Sequence, residues 1–248
     1  MYKRKIYGEL LERNAGKAVA LVALSAVLVA CRTTPGRGFE VTAHAGAGNT
    51  PANTVESLRT LAAANVDCLE VDVSFRSNGT AVIIHKAHPS DAEGVPLADA
   101  LRVVAASDKR LNLDLKRHEP ELLKTLPALV DAAGLRARVF FTGVGAGQVE
   151  AVRTACPGIP YYLNCTPPAT DEAADRLVET IVRLGAVGAN PDYRKVTPDF
   201  ARRLHERGLK LSVWTARSPK TFAACAALSP DNVTTLWLPG RKESGERP

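Results

Sequence analysis

The chain has no CxxC pair and no Cys/His spacing of the zinc-binding kind, although it carries five cysteines, so a structural zinc module is excluded. It also lacks an apolar run of the roughly 20 residues that a bilayer-spanning helix needs. Its apolar stretch near the amino terminus, Ala18 to Ala30, stops at Cys31-Arg32. No GxGxxG follows the first strand-like segment, which removes the usual sign of a dinucleotide fold. Charged residues make up 23% and hydrophobic residues 46% of the 248, close to the globular average, which excludes disordered, collagen-like and coiled-coil chains. The net charge of +6 is not a nucleic-acid footprint. Half of it lies in residues 1–30, where Lys3, Arg4, Lys5, Arg13 and Lys17 face only Glu9 and Glu12, and no nucleic-acid partner is expected.

Those first residues read as an address. A basic stretch precedes an apolar segment of signal-peptide length, about 7 to 15 residues, and Leu28-Val29-Ala30-Cys31 resembles the lipobox of bacterial lipoproteins. The expectation is a signal over residues 1–30, lipidation of Cys31, a tether over 31–38, a catalytic body over 39–240 and a tail over 241–248. The product would be an exported lipoprotein of the bacterial cell envelope, held to a membrane by its lipid anchor. An ordinary signal peptide is the alternative. Export permits disulfides among Cys68, Cys156, Cys165 and Cys225, in any of three full pairings, and free buried thiols fit a core of this size as well.

From Phe39 onward, short β-branched or apolar runs alternate with amphipathic helical stretches, the pattern of a parallel sheet with crossover helices. Eight strands are predicted: Val41 to Ala43, Cys68 to Phe75, Leu111 to Leu115, Arg138 to Thr142, Pro160 to Leu163, Ala186 to Ala189, Lys210 to Trp214 and Val233 to Trp237. Eight strands in this length fit a compact (β/α)₈ TIM barrel, with a doubly wound open sheet as the alternative. Asn53 with Glu56 is expected to form a capping box. Thr197-Pro198 should open another helix, which Gly208 ends.

Ala81 to His85 breaks the alternation, being too close to Phe75 for a parallel crossover, so it must return antiparallel. A two-residue Asn78-Gly79 turn would pair Ser77 with Thr80 and set Asp72 directly opposite His85, Cβ atoms about 4.5–5.5 Å apart. Glu70 shares the face of Asp72, because strand side chains alternate with period two. Asn112, Asp114 and Lys116 line up the same way on the next strand. Leu69, Val71 and Val73, with Leu111, Leu113 and Leu115, make the opposite faces apolar, so the helices cover those and the polar faces point inside. Buried charges cost several kcal/mol per ion unless compensated, and a hard divalent metal would neutralise such oxygen ligands. His44 ends the first strand, at the face where barrels place their chemistry, and His85 is expected at the same mouth. Two histidines around a carboxylate-bound metal suit phosphoryl chemistry, one taking a proton from the nucleophile and the other giving one to the leaving oxygen. His88, His118 and His205 read as surface or loop residues.

His44-Ala45-Gly46, Pro51-Ala52-Asn53-Thr54, Glu70-Val71-Asp72, Asn78-Gly79 before His85, and Asn112-Leu113-Asp114-Leu115-Lys116 together resemble the glycerophosphodiester phosphodiesterases. Asn190-Pro191, Thr197-Pro198, Gly208-Leu209-Lys210 and Val213-Trp214-Thr215 follow in the family's order. The resemblance implies a (β/α)₈ barrel with a small insertion after the second strand, here the hairpin and the stretch to Lys109. It implies His44 and His85 as acid and base, Glu70, Asp72 and Asp114 as ligands of Mg²⁺ or Ca²⁺, and Lys116 and Trp214 as substrate-binding residues. The implied reaction turns a glycerophosphodiester into glycerol phosphate and an alcohol, the substrate's own glycerol hydroxyl attacking phosphorus and water completing the hydrolysis.

Three positions depart from the family pattern. Ala45 stands where an arginine usually follows the first histidine, Ala52 replaces a glutamate, and Lys86 replaces an aspartate. Lys86, Lys116 or Arg76 would replace the lost guanidinium as a point charge. Related readings of the chain are a phosphodiesterase acting on another lipid phosphodiester, in the manner of a lysophospholipase D, and a lipid-anchored protein that binds a phosphodiester without cleaving it.

Overall fold

Period-two alternation of inward polar and outward apolar side chains builds the sheet. In β2 (Cys68–Phe75), Leu69, Val71 and Val73 face the helices, as do Leu111, Leu113 and Leu115 of β5 (Arg110–Leu115), and all six are buried. Each fully buried leucine stabilises the fold by roughly 1.5–3 kcal/mol. The structure is a computed structural model, and it describes residues 38–240. The expected signal, Cys31, most of the tether and the tail at 241–248 lie outside the described residues.

The remaining strands are β1 (Glu40–Ala43), β3 (Ala81–Ile83), β4 (Val95–Pro96), β6 (Val139–Val144), β7 (Tyr161–Leu163), β8 (Gly188–Ala189), β9 (Lys210–Ala216) and β10 (Asn232–Thr235). Parallel pairing runs β1-β2-β5-β6-β7-β8-β9-β10 and returns to β1, which closes an eight-stranded barrel. Helices α1 (Val55–Ala62), α2 (Leu97–Ala105), α3 (Pro120–Leu123), α4 (Thr125–Ala132), α5 (Val149–Ala155), α6 (Asp171–Leu184), α7 (Pro198–Glu206) and α8 (Pro219–Ala226) supply the crossovers. The fold is a (β/α)₈ TIM barrel, and every expected strand has its counterpart. The closure excludes the open sheet.

Local signals explain several boundaries. Thr197 caps α7 by accepting from Phe200 N, Pro198 occupies its first turn, and Gly208 with φ +67° follows it. At α1 the cap is Thr54, whose hydroxyl accepts from Ser57 N, not Asn53 with Glu56 as expected. Thr54 is the extended residue before the first turn, whereas Asn53 is left-handed with φ +55°. The floor of the barrel is closed by Glu40 and Arg110, paired at 2.5 Å, with Arg110 lying over the Phe140 ring. Cys68, Cys156, Cys165 and Cys225 are free thiols.

The hairpin inserted after β2 differs from expectation in two ways. Its loop has three residues, because Gly79 N bonds to Arg76 O and Arg76 N to Thr80 O, with only Gly79 left-handed, at φ +83°. Asn78 Oδ1 accepts from Thr80 N, and Asp91 Oδ1 takes Asn78 N and Ser77 Oγ, which holds this wider turn. The register therefore moves by one: Val73 pairs with Ile83 and Phe75 with Ala81, so Asp72 lies opposite Ile84 and not His85. The insertion also ends at Pro96, short of Lys109. The helix after it, α2, buries Leu97, Leu101 and Val104 and is the crossover that parallel pairing of β2 with β5 demands.

Candidate active site

β1, β2, β5 and β6 carry the polar residues up the barrel interior to its C-terminal mouth. Register sets Glu70 beside Asn112, Asp72 beside Asp114, and Asp114 beside Thr142. Glu70 and Asp72 are each only 4% exposed. Oxygens of Glu70, Asp72 and Asp114 lie within 4.8 Å of one another, so the three carboxylates converge as the alternation required. The cavity above them, about 340 Å³, is lined by His44, Glu70, Asp72, His85, Asp114, Lys116 and Trp214, all seven of the side chains expected there.

Each carboxylate is held. Glu70 Oε2 accepts from Ala45 N at 2.8 Å, and Asp114 Oδ1 from the Thr142 hydroxyl at 2.8 Å. Asp72 is clamped at two points by Asn53, whose Nδ2 donates to Oδ2 at 2.7 Å and whose Oδ1 accepts from Asp72 N at 3.0 Å. Lys116 Nζ bridges Asp72 Oδ1, at 2.7 Å, and Asp114 Oδ2. Burial pulls its ammonium toward the neutral form, but Asp114 and Asp72 outweigh this and hold it more basic than an ordinary lysine. Burial likewise opposes ionisation of Asp72, and Lys116, Asn53 and His85 overcome it, lowering its pKa. At Glu70 burial, then Asp72 and Asp114, outweigh the Ala45 N–H and Lys116 and raise its pKa well above the usual carboxylate range. Three acids against one ammonium are under-neutralised, and three hard oxygen donors in this setting fit a divalent cation.

The histidines flank the acids. His44 Nδ1 is 2.8 Å from Ala45 O and 3.7 Å from Glu70 Oε2. A carbonyl oxygen only accepts, so Nδ1 carries the proton and Nε2 of the neutral ring is left as a base. His85 Nδ1 lies 3.3 Å from Asp72 Oδ1, which imposes the same tautomer, and its side chain is 83% exposed. It arrives there by leaving β3, not through the strand register, since Ser74 Oγ donates to Ala87 O at 2.6 Å and draws the segment after Ile84 toward the mouth. Trp214 stands exposed at the rim with Nε1 donating to Asn190 O.

Of the other histidines, His118 Nε2 bonds to Gly143 O, His205 pairs with Asp231, and His88 is exposed and does not line the cavity. Gly143 sits at a break in β6, with φ +74°, where a Cβ would come 2.8 Å from Asp114 Oδ1. Two of the expected replacement cations are engaged elsewhere. Lys86 pairs with Glu93, and Arg76 donates to the carbonyls of Glu93 and Gly94 within the hairpin. Sequence reasoning gave no role at the site to Asn53, Thr142 or Arg217. Only Asn53 had a legible signal, in the Pro51-Ala52-Asn53-Thr54 run.

A sequence model described as the glycerophosphoryl diester phosphodiesterase family matches residues 104–235, more than half of the chain. The chain belongs to that family. Family membership makes it a phosphoric diester hydrolase, and the carboxylate cluster is this glycerophosphodiester phosphodiesterase's candidate metal site. No curated protein matches the sequence. Among solved structures, a Galdieria sulphuraria protein assigned as a glycerophosphodiester phosphodiesterase aligns with TM-score 0.71 at 18% identity, covering 82% of this chain and 96% of its own. A glycerophosphodiester phosphodiesterase from Parabacteroides distasonis gives 0.66 at 19% identity, covering 80% and 93%. An Oleispira antarctica phosphodiesterase, solved with the product sn-glycerol-3-phosphate, gives 0.64 at 18%, covering 79% and 92%. These likenesses establish the shared barrel.

Proposed function

We propose that this glycerophosphodiester phosphodiesterase hydrolyses glycerophosphodiesters to glycerol phosphate and an alcohol, with His44 and His85 as the acid and base. The observation that carries this reading is the meeting of two histidines and three carboxylates in one cavity at the barrel mouth. Each imidazole has its Nδ1 fixed by an oxygen acceptor, which leaves Nε2 of both rings to exchange protons in the cavity. One takes the proton of the attacking glycerol hydroxyl as the oxygen–phosphorus bond forms. The other, in its doubly protonated form, gives its Nε2 proton to the alcohol oxygen as its bond to phosphorus breaks, and water opens the resulting cyclic ester with the roles reversed. Glu70, Asp72 and Asp114 would hold Mg²⁺ or Ca²⁺, which when bound polarises a phosphoryl oxygen and offsets its charge. Lys116 steadies Asp72 and Asp114 and faces the phosphate, and Trp214 covers the rim. The product bound by the Oleispira antarctica relative supports a glycerol phosphate product here.

The test is release of glycerol phosphate from glycerophosphocholine and glycerophosphoethanolamine by the purified protein, with Mg²⁺, with Ca²⁺ and with chelator. Metal-dependent release is expected, falling by at least about 100-fold in His44→Ala and in His85→Ala. Undiminished release in chelator, or in either variant, would refute the assigned roles. The resemblance of Leu28-Val29-Ala30-Cys31 to a lipobox supports export to the cell envelope with Cys31 as the anchor. The same assay on membrane and soluble fractions of expressing cells checks it: activity should follow the membrane and move to the soluble fraction in Cys31→Ser.

A further inference from the structure

A phosphodiester is an anion, and the cavity proposed to receive it is walled by three carboxylates. Cations must therefore offset the repulsion, and nearly all of those around the mouth are occupied. Lys116 is held between Asp72 and Asp114, Lys86 by Glu93, Arg117 by Glu119 and Arg194 by Asp192. Arg217 is the exception among the lysines and arginines that line the cavity. It lines the cavity with the histidines and carboxylates, its side chain is exposed, and it has no carboxylate partner among the described residues.

We infer that Arg217 binds the phosphate of the substrate. Its root is rigid, while its guanidinium has no hydrogen-bond or ion-pair partner among the described residues. It follows the last residue of β9, and its backbone N–H donates to Thr221 Oγ1 at 2.8 Å, inside the Ser218–Thr221 capping box that opens α8. β9 is the seventh strand of the closed barrel, and the loops after strands seven and eight are where barrels of this kind commonly bind phosphate. Arg217 also lines an adjoining cavity of about 240 Å³ with Asp192, Tyr193 and Trp214. In a diester the phosphorus lies between two arms, so the group that holds it belongs between two cavities and not at the end of one. A guanidinium offers two parallel N–H donors to the two non-bridging oxygens, which an ammonium at the same place does not. Arg217 would thus supply the guanidinium that Ala45 leaves missing, from the opposite end of the chain.

This inference rests on the proposed reaction for its ligand but is tested apart from it. The probe is sn-glycerol 3-phosphate, titrated calorimetrically into the divalent-loaded parent protein, Arg217→Ala and Arg217→Lys, with glycerophosphocholine turnover and divalent affinity measured alongside. Arg217→Ala should weaken the probe by about tenfold or more and raise KM by a similar factor, with a smaller change in kcat. Arg217→Lys should recover part of both, and divalent affinity should not move. Unchanged probe affinity and KM in Arg217→Ala would overturn the inference and leave the reaction standing. Loss of divalent affinity in parallel would also overturn it, since the residue would then be supporting the site. A parent that binds the probe through Arg217 yet cleaves no glycerophosphodiester would overturn the reaction and keep Arg217, and a parent that does not bind the probe overturns Arg217 as its ligand.

Discussion

Asn53 shows how one side chain couples the fold to the site. β1 is paired with β2 only as far as Leu69, and β3 takes over at Val73, so the backbone N–H of Asp72 falls where neither neighbour reaches it. Asn53 fills the gap, accepting that N–H and donating to the Asp72 carboxylate. Its left-handed backbone, tolerable for asparagine, turns the side chain inward, while Thr54 takes over the capping of α1. Asn53→Ala leaves a buried N–H unpaired and one carboxylate oxygen unanchored, so it should cost about 1–3 kcal/mol of stability and weaken divalent binding. Urea denaturation and calorimetry with Mg²⁺ and Ca²⁺ check this, and parent-like values in both would count against the clamp. The charged and imidazole residues of the site were legible because acids and bases on alternate positions of apolar strands have no other reason to be there. Arg217 was not, since an arginine in a loop breaks no pattern.

At the scale of elements, strand positions could be read from sequence because each strand repeats its apolar and polar alternation several times. The hairpin turn could not, because its length was decided by Asp91, thirteen residues beyond Asn78. The expected meeting of Asp72 with His85 occurs, but its cause is tertiary, in the hydrogen bond from buried Ser74 to Ala87 O. Ser74 itself does not line the cavity, so it is a positioning residue for the His85 segment. Ser74→Ala should reduce kcat for glycerophosphocholine by about tenfold, with stability lowered by about 1 kcal/mol and divalent affinity kept. A second readout separates positioning from general damage: the pH–rate profile should lose steepness on the limb that His85→Ala also removes. An unchanged kcat would show that the segment holds its place without the bond.

For the molecule as a whole, the four described cysteines bear on how this chain, proposed to be exported, tolerates an oxidising compartment. Cys68, Cys156 and Cys225 are buried and Cys165 half-buried, and burial pushes all four thiols up to about 12. Reaction with an oxidant needs an exposed thiolate, so the fold protects them without pairing them. The same burial ties stability to alkaline pH. Below the ordinary thiol range, about pH 8.5, native and unfolded chains both hold these protons and the thiols have no effect. Above it the unfolded chain releases protons that the native chain retains until near pH 12, so unfolding gains free energy as pH rises through that window. The urea midpoint should therefore fall steadily above about pH 8.5. Because tyrosine and lysine also titrate there, Cys68→Ala and Cys225→Ala decide the cause: each should start less stable at pH 7 through its cavity, yet decline less steeply with pH. Slopes equal to that of the parent would remove the thiols from the account and leave the alkaline limb to other groups.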